Sequence, residues 1–218
     1  PRRAAGPDEV VQQPIAAEFI VYNVMQGDYP ADSEVFDAYL VTGSKVDSFA
    51  TDPWIETLKA YLLNRYERGD KLLGICFGHQ LLALLLGGKS ERASQGWGVG
   101  THNYQLAAKA PWMSPVVEEL TLLISHQDQV TALPENATVI ASSDFCPFAA
   151  YHINDQVLCF QGHPEFIHDY SRALLDIRQL NLGEQIYQQG VASLARDHHG
   201  VTVAEWMMRF VAHKPQVA

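Results

Sequence analysis

Cys76 lies in the surroundings that a nucleophilic thiol needs. It is the central residue of positions 74–78, which read Gly-Ile-Cys-Phe-Gly. The apolar run at 72–75 predicts a buried strand, and the strong helix formers after Phe77 predict a helix that ends at Gly87. This is the strand–turn–helix pattern of a nucleophile elbow, with cysteine in place of serine. We therefore expect Cys76 to adopt a positive φ in a tight turn, at a helix N-terminus whose dipole favours the thiolate.

Two histidine–carboxylate pairs compete to serve this cysteine. A thiol nucleophile needs a base that also returns a proton to the leaving amine, and a histidine oriented by a carboxylate suits that task. His163 and Glu165 directly follow one apolar run, and His126 and Asp128 follow another. The pairs are equivalent by residue type, and an isolated histidine is often only a structural residue. The residues themselves leave the choice of base open.

Strands and helices that could position these residues alternate along the first half of the chain. Hydrophobic periodicity predicts strands at 18–24, 36–42 and 72–75, with a helix at 53–68 before the last of them. This alternation indicates a parallel sheet covered by helices on both faces. The second half has shorter strands and then helices. The strands are predicted at 98–106, 120–125, 137–141, 148–153 and 157–161, and the helices at 164–180, 183–196 and 201–211.

Three segments outside these elements carry local predictions. Residues 1–16 are polar and interrupted by proline and glycine, with a short helix from Asp8, and they lack the apolar stretch of a signal peptide. Residues 154–155, Asn-Asp, predict a hairpin turn. His198 and His199 lie in a helix break and are expected to form a solvated cap.

Composition limits the class of protein. The chain has 218 residues, 47% of them hydrophobic, which is enough for one α/β domain with a sizeable core. Its net charge of −10 and the lack of a long basic run argue against a nucleic-acid partner. Its apolar runs fall far short of the ~20 residues that span a bilayer, so no membrane contact is expected. Cys76, Cys146 and Cys159 lack the spacing of a disulfide framework, which predicts a reducing, cytoplasmic location.

Two motifs resemble those of the class I (triad) glutamine amidotransferases. They are residues 74–80, Gly-Ile-Cys-Phe-Gly-His-Gln, and residues 162–166, Gly-His-Pro-Glu-Phe. The chain is most similar to free-standing members that resemble the glutaminase domain of GMP synthase, over roughly residues 19–210. The resemblance implies a single domain over residues 1–218, an α/β three-layer sandwich with a mostly parallel, flavodoxin-like central sheet. Relatives open with a short apolar strand, and no stretch before Phe19 has that pattern.

The resemblance resolves the choice of base. It implies a triad in which His163 acts as base and then acid towards Cys76, with Glu165 as its orienter. It also implies an oxyanion hole of backbone N–H groups, one from the residue after the nucleophile and one from the loop after the second strand. A serine in that loop stands where relatives often carry a second glycine, which leaves open which amide donates. The residues expected at the oxyanion hole are Gly43, Ser44 and Phe77.

A third set of residues is implied to contact the substrate. Gln80 lies one helical turn beyond Cys76 and faces back towards the thiol. The segment after the predicted strand 120–125 meets the amino and carboxylate ends of glutamine in relatives, although a plain polar turn explains its residue types equally well. The loop 95–100 is implied to lie near the pocket, with Trp97 as a wall or as a packing residue. The predicted substrate-binding residues are Gln80, His126, Gln127 and Asp128.

Three functions are compatible with these residues. The first is a glutaminase that forms a γ-glutamyl thioester and releases ammonia for a synthetase or other acceptor on a separate chain, because no acceptor-domain motif occurs here. The second is hydrolysis of γ-glutamyl amides or peptides by the same triad. The third is a non-catalytic regulatory relative, against which the intact triad argues. In each case the partner is a small γ-glutamyl compound, and no cofactor or metal is expected.

Overall fold

The computed structural model describes residues 16–213, and the helix expected from Asp8 lies outside that range. The strand expected at 18–24 is wrong: residues 16–23 pair with no strand of the described chain, and a single 3-10 turn follows at Val24–Gln26. Its apolar pattern misled because the side chains do not pack, Phe19 being 72% and Val21 88% exposed. Alternating apolar residues make a strand only where a neighbouring strand accepts their hydrogen bonds.

The remaining elements follow the predicted order closely, with two additional strands. The strands are β1 (Tyr39–Val41), β2 (Leu72–Ile75), β3 (Lys89–Arg92), β4 (Gly98–Leu106), β5 (Glu119–His126), β6 (Asp128–Ala132), β7 (Ala137–Ser142), β8 (Ala150–Ile153) and β9 (Val157–Phe160). The helices are α1 (Pro53–Glu67), α2 (Phe77–Leu85), α3 (His168–Leu182), α4 (Glu184–Ser193) and α5 (Gly200–Ala212). No helix among residues 16–213 is long and apolar enough to cross a membrane.

The central sheet has seven strands in the order β1-β2-β9-β8-β7-β4-β5. β1, β2 and β9 run parallel, as the alternation of strands and helices predicts. From β9 to β5 the neighbours are antiparallel, so the sheet is mixed. The turn expected between β8 and β9 is present, with a positive φ of 48° at Asn154. The elbow strand β2 lies inside the parallel part, where side chains are buried on both faces.

Helices cover both faces of the sheet and produce the expected three layers. Adjacent residues of β2 point to opposite faces, Leu72 into a core shared with α1 and α2 and Leu73 into a core shared with α5. In the second core Trp206 and Phe210 of α5 are fully buried. The α/β class is confirmed, and β2 is buried at every position between the two helical layers.

β3 and β6 were not expected, and they form a separate two-stranded antiparallel sheet. Asp128, which follows the predicted strand 120–125, is the first residue of β6 and pairs with Arg92 of β3. These strands are short and polar, so neither carries the alternation that identifies a strand from sequence. Their pairing places residues 126–128 at a corner between two sheets.

The start of α3 and the role of one histidine differ from the sequence predictions, and both segments contact β5. His163 donates its N–H to the Leu123 carbonyl at 2.8 Å, the next residues form a turn, and α3 begins at His168 and not at Pro164. His198 does act as a cap, because its Nδ1 accepts the Gly200 N–H at 3.1 Å. His199 is the N-cap residue of α5, but its side chain does not cap the helix and is hydrogen-bonded to the backbone of β5.

Candidate active site

Cys76 occupies the turn between β2 and α2 with φ 52° and ψ −99°, as the elbow pattern predicts. Its N–H still donates to the Phe160 carbonyl at 2.9 Å, so the residue ends the β2–β9 ladder before the chain turns into the helix. A positive φ in a residue with a side chain costs free energy and persists only where the surroundings impose it. The thiol is 9% exposed, which leaves it accessible from the pocket but shielded from bulk solvent.

Two glycines make this turn sterically feasible. A Cβ on Gly78 would lie 2.2 Å from the Val41 carbonyl oxygen of β1, and a Cβ on Gly74 would lie 2.7 Å from the Gly78 carbonyl oxygen. Such distances are far inside van der Waals contact, so any side chain would push α2 away from the sheet. The glycines of the elbow therefore bring the N-terminus of α2, and Cys76 with it, against β1.

His163 and Glu165 form a close pair beside the thiol. The His163 Nδ1 lies 2.7 Å from the Glu165 Oε1, and the imidazole stacks on the Phe166 ring with centroids 3.9 Å apart. The side chain of Cys76 lies beside the imidazole, close enough to raise the pKa of His163. Because the His163 Nδ1 is hydrogen-bonded to Glu165, Nε2 is the ring nitrogen available to the Cys76 sulfur. The structure thus brings Cys76, His163 and Glu165 together in the order that a thiol, a base and an orienting carboxylate require.

Electrostatics of the pair favour a protonated imidazole. Burial lowers the pKa of His163, but the contacts with Cys76 and Glu165 outweigh it and raise that pKa to about 9. His163 therefore carries a proton at neutral pH and can deliver it to a leaving group. The ring lies against the loop after β1, where a Cβ on Gly43 would be 3.1 Å from the His163 Cε1 and 3.8 Å from the Cys76 Cβ.

His126 lines the pocket beside Cys76, and its surroundings differ from those of His163. Its Nδ1 contacts the Asp128 backbone oxygen at 3.1 Å, and its Nε2 is buried without a hydrogen-bond partner. Burial, followed by the neighbouring His102 and His163, lowers its pKa to about 3. His126 is therefore a neutral wall residue, whereas His163 is protonated.

The predicted oxyanion-hole residues also converge on Cys76. Phe77 is the first residue of α2, so its N–H has no acceptor within the helix and points out of its N-terminus. Ser44 bends the loop after β1, because its Oγ accepts the Val46 N–H at 3.1 Å. Ser44 and Phe77 line the pocket with Cys76, and Gly43 packs against the nucleophile. The arrangement offers backbone amides from two directions around the sulfur.

The open pocket around Cys76 has a cavity volume of about 80 Å³. All four predicted substrate-binding residues and Trp97 line it. The sequence interpretation did not identify five other polar residues of its wall. The predicted lining residues are Gln80, His126, Gln127 and Asp128, and the additional ones are Lys45, Asp47, Arg92, Ser125 and Arg178.

Gln80 reaches across the pocket floor from α2. Its Nε2 donates to the Asp128 backbone oxygen at 2.8 Å and to the Gln161 Oε1 at 3.1 Å. These bonds fix the amide and connect the elbow helix to the corner between the two sheets. The prediction that Gln80 faces the thiol side of α2 agrees with this position, while its contact with substrate stays a prediction.

Arg92 joins three parts of the pocket wall. Its guanidinium lies 2.5 Å from Asp128, 3.1 Å from Asp47 and 2.7 Å from the Gln127 Oε1. Burial and the neighbouring Asp47 raise the pKa of Asp128 to about 6, while Arg92 opposes that rise. Asp47 follows the oxyanion-hole loop by only a few residues, which is the one sequence signal that could have marked it. Arg92 carries no such signal, since it reaches the site through the unexpected β3–β6 pairing.

Arg178 provides a second cation, on the side of the pocket formed by α3. Its guanidinium lies over the Trp97 ring at 5.1 Å and donates to the Ser125 Oγ at 2.5 Å. Burial lowers its pKa, although the nearby Cys76 opposes this effect. The sequence shows only a charged residue within a helix, so tertiary packing alone identifies Arg178 as a pocket residue.

Comparison with known proteins agrees with this geometry. The model of the glutamine amidotransferase class-I family matches residues 23–176. Gamma-glutamyl peptidase 2 of Arabidopsis thaliana is 32% identical over 161 residues, which are 72% of this chain and 65% of that protein, so the chain spans just under two thirds of that relative. A GMP synthase of Lactococcus lactis is 39% identical over 104 residues, 47% of this chain and 20% of that protein.

A solved structure extends the likeness to the fold. A glutamine amidotransferase from Thermotoga maritima superposes with a TM-score of 0.73 at 17% identity and covers 88% of this chain and 86% of its own. The family match covers more than half of the chain and includes the elbow and the segment with His163. The resemblance inferred from residues 74–80 and 162–166 is confirmed, and the chain belongs to the class I glutamine amidotransferase family.

Proposed function

We propose that this protein hydrolyses the γ-amide bond of γ-glutamyl compounds through a thioester on Cys76. The observation that carries the proposal is the contact of His163 with Glu165 at 2.7 Å beside an elbow cysteine with positive φ. A protein that only binds its ligand does not require this geometry. A strained cysteine paired with a protonated histidine is an arrangement suited to covalent catalysis.

Each step can be assigned to a residue. The Cys76 sulfur attacks the γ-carbonyl carbon, and the developing oxyanion is held by the N–H of Phe77 and an N–H of the Gly43 loop. The carbon–nitrogen bond breaks as His163 passes its proton to the departing amine. His163 then accepts a proton from water, which attacks the thioester and releases glutamate and the Cys76 thiolate. Glu165 keeps the imidazole oriented throughout.

Charges in the pocket support an amino-acid end on the substrate. The carboxylates of Asp47 and Asp128 suit an α-ammonium group, and the guanidinium of Arg178 suits an α-carboxylate. A γ-glutamyl group carries both charges at one end and the scissile amide at the other. The pocket is open, so the group beyond the amide can be larger than ammonia.

We take γ-glutamyl peptides as the favoured substrates. The support is that the likeness to a gamma-glutamyl peptidase extends over 72% of the chain, whereas the likeness to a GMP synthase extends over 47%. Glutamine is the second candidate, supported by the higher identity, 39%, within that shorter segment. With glutamine the product is ammonia, and its acceptor would be a separate synthetase.

The test is turnover of two substrates by the purified chain without a partner. Release of glutamate from a γ-glutamyl dipeptide and from glutamine is measured under the same conditions. We expect faster turnover of the dipeptide, abolished by Cys76→Ala and retained by Cys146→Ala, which removes a buried thiol away from the pocket. Faster turnover of glutamine would favour the second candidate. No turnover of either substrate, together with no reaction of Cys76 with a γ-glutamyl electrophile, would contradict the proposal.

A further inference from the structure

The edge of β5 that does not pair with β4 is hydrogen-bonded to two separate segments. β5 is the last strand of the sheet, and β4 pairs with only one of its edges. On the other edge the Leu123 carbonyl accepts the His163 N–H at 2.8 Å. Two residues earlier the Thr121 carbonyl accepts the His199 N–H at 2.7 Å. The candidate catalytic histidine and the residue before α5 are thus anchored to alternate residues of one strand.

The attachment of His199 is made at two points. Besides the bond of its N–H, the His199 Nδ1 accepts the Thr121 N–H at 3.0 Å. The residue therefore satisfies both backbone groups of Thr121, as a neighbouring strand would. An imidazole accepts at Nδ1 only when that nitrogen is unprotonated, so the neutral form holds this contact. A phenyl ring of similar size could not replace it, because it has no acceptor.

Gly200 brings the start of α5 directly behind the catalytic segment. A Cβ on Gly200 would lie 2.5 Å from the Pro164 carbonyl oxygen and 2.8 Å from the His198 Cε1. Pro164 is the residue between His163 and Glu165, so its peptide groups connect the two side chains. Any side chain at Gly200 would move that carbonyl or displace the helix. The first turn of α5 therefore supports the peptide that sets the direction of both catalytic side chains.

We propose that His199 and Gly200 are positioning residues, which act through this backbone contact to hold His163 and Glu165 towards Cys76. The inference rests on the roles that the proposed function gives to these three side chains. The segment after His163 stays non-helical up to His168, and a turn bond from the Phe166 N–H to the His163 carbonyl at 3.3 Å stands in place of a helical ladder. Misplacement of a catalytic group by about 1 Å can cost up to 10²-fold in rate.

Two matched pairs of variants test this inference. Gly200→Ala places a methyl group against the Pro164 carbonyl, and Val201→Ala shortens the neighbouring side chain, which is 76% exposed, as its control. His199→Phe removes the acceptor of the Thr121 N–H. His199→Asn offers an amide oxygen close to the position of Nδ1 and should restore the bond.

The readouts separate positioning from folding. They are kcat and KM for a γ-glutamyl dipeptide, the pH dependence of Cys76 alkylation by iodoacetamide, and the midpoint of thermal unfolding. Alkylation reports on Cys76 because burial raises the pKa of Cys146 and of Cys159 to about 12. When His163 moves away, the imidazolium no longer stabilises the thiolate, and alkylation needs a higher pH.

For Gly200→Ala and His199→Phe we expect kcat to fall about tenfold or more, with KM within about twofold, and the alkylation midpoint to move to higher pH. Val201→Ala and His199→Asn should stay within about twofold of the wild type. Equal losses in His199→Asn and His199→Phe, or a lower unfolding midpoint without a change in alkylation, would overturn the inference. If Gly200→Ala does not fold, the His199 pair decides the question.

The same measurements distinguish this inference from the proposed function. If the wild type cleaves neither substrate while the alkylation midpoint still rises in His199→Phe, the proposed function fails and the positioning of His163 stands. If the wild type is active and alkylation is unchanged in both disruptive variants, the positioning role of His199 and Gly200 fails and the proposed function stands.

Discussion

Two buried histidines near Cys76 have opposite electrostatic surroundings. Burial lowers the pKa of His163, but Cys76 and Glu165 more than compensate and raise that pKa to about 9. For His126 burial acts without an opposing charge, and its pKa falls to about 3. The acidic groups in contact with a histidine therefore decide whether its pKa is raised. Spacing from a carboxylate along the chain does not decide it.

The two carboxylates differ as much as the histidines do. The Glu165 side chain contacts the His163 ring, whereas the Asp128 side chain contacts Arg92, and only the Asp128 backbone oxygen reaches His126. The same His-x-acid spacing therefore gives a hydrogen-bonded side-chain pair in one place and none in the other. The following predictions test whether this contrast extends to function.

Replacement of each histidine should produce the largest difference. His163→Asn should lower kcat by about 10³-fold or more, because both the proton donor and the partner of the thiolate are lost. His126→Asn should raise KM by about tenfold or less and leave kcat nearly unchanged, since a neutral wall residue contributes to binding. The kcat and KM of both variants are measured by steady-state kinetics with a γ-glutamyl dipeptide. A reversed pattern would assign the base to His126.

Replacement of each carboxylate should give a smaller effect of the same kind. Glu165→Gln keeps a hydrogen-bonding group but removes a charge that raises the pKa of His163, so the imidazole loses its proton at lower pH. We expect kcat to fall by about 10²-fold, less than for loss of the histidine itself. Asp128→Asn should change mainly KM. Equal effects of the two variants on kcat would remove the contrast between the pairs.

The pH dependence of KM should identify Asp128 specifically. Burial and Asp47 raise the pKa of Asp128 to about 6, so the carboxylate gains a proton and loses its charge as the pH falls below that value. If it binds the α-ammonium group, KM should rise by about tenfold between pH 7 and pH 5. Asp128→Asn should flatten this dependence. An unchanged acid limb in that variant would show that Asp128 does not hold the substrate.

Aromatic neighbours should contribute the smallest difference. Phe166 stacks on the His163 ring at 3.9 Å, whereas Phe145 lies 6.1 Å from the His126 ring. Phe166→Leu should lower kcat by about three- to tenfold, because the catalytic ring loses the surface that holds it flat. Phe145→Leu should leave kcat within about twofold and lower the unfolding midpoint instead. The matched pair is compared by kinetics and by thermal unfolding.

The elbow shows what local sequence can determine. Positions 74–78 specify the turn because glycine at 74 and 78 is the only residue that allows α2 to approach β1, and that constraint acts between near neighbours. The order of elements and the burial of β2 follow from apolar runs for the same reason. The family motifs then identified His163 and Glu165 as the predicted base and its orienting carboxylate. Residue types alone left open which of the two histidine–carboxylate pairs has this role.

Only the tertiary structure decided the parts of the site that depend on distant segments. The strand expected at 18–24 has no partner among the described residues, while the polar β3 and β6 pair with each other and bring Arg92 to Asp128. Arg178 lines the pocket from α3, and His199 binds the backbone of β5 from the position before α5. Hydrogen bonds between distant segments produce no periodic pattern in the sequence. They depend on how whole strands and helices pack, and not on the residues that are neighbours along the chain.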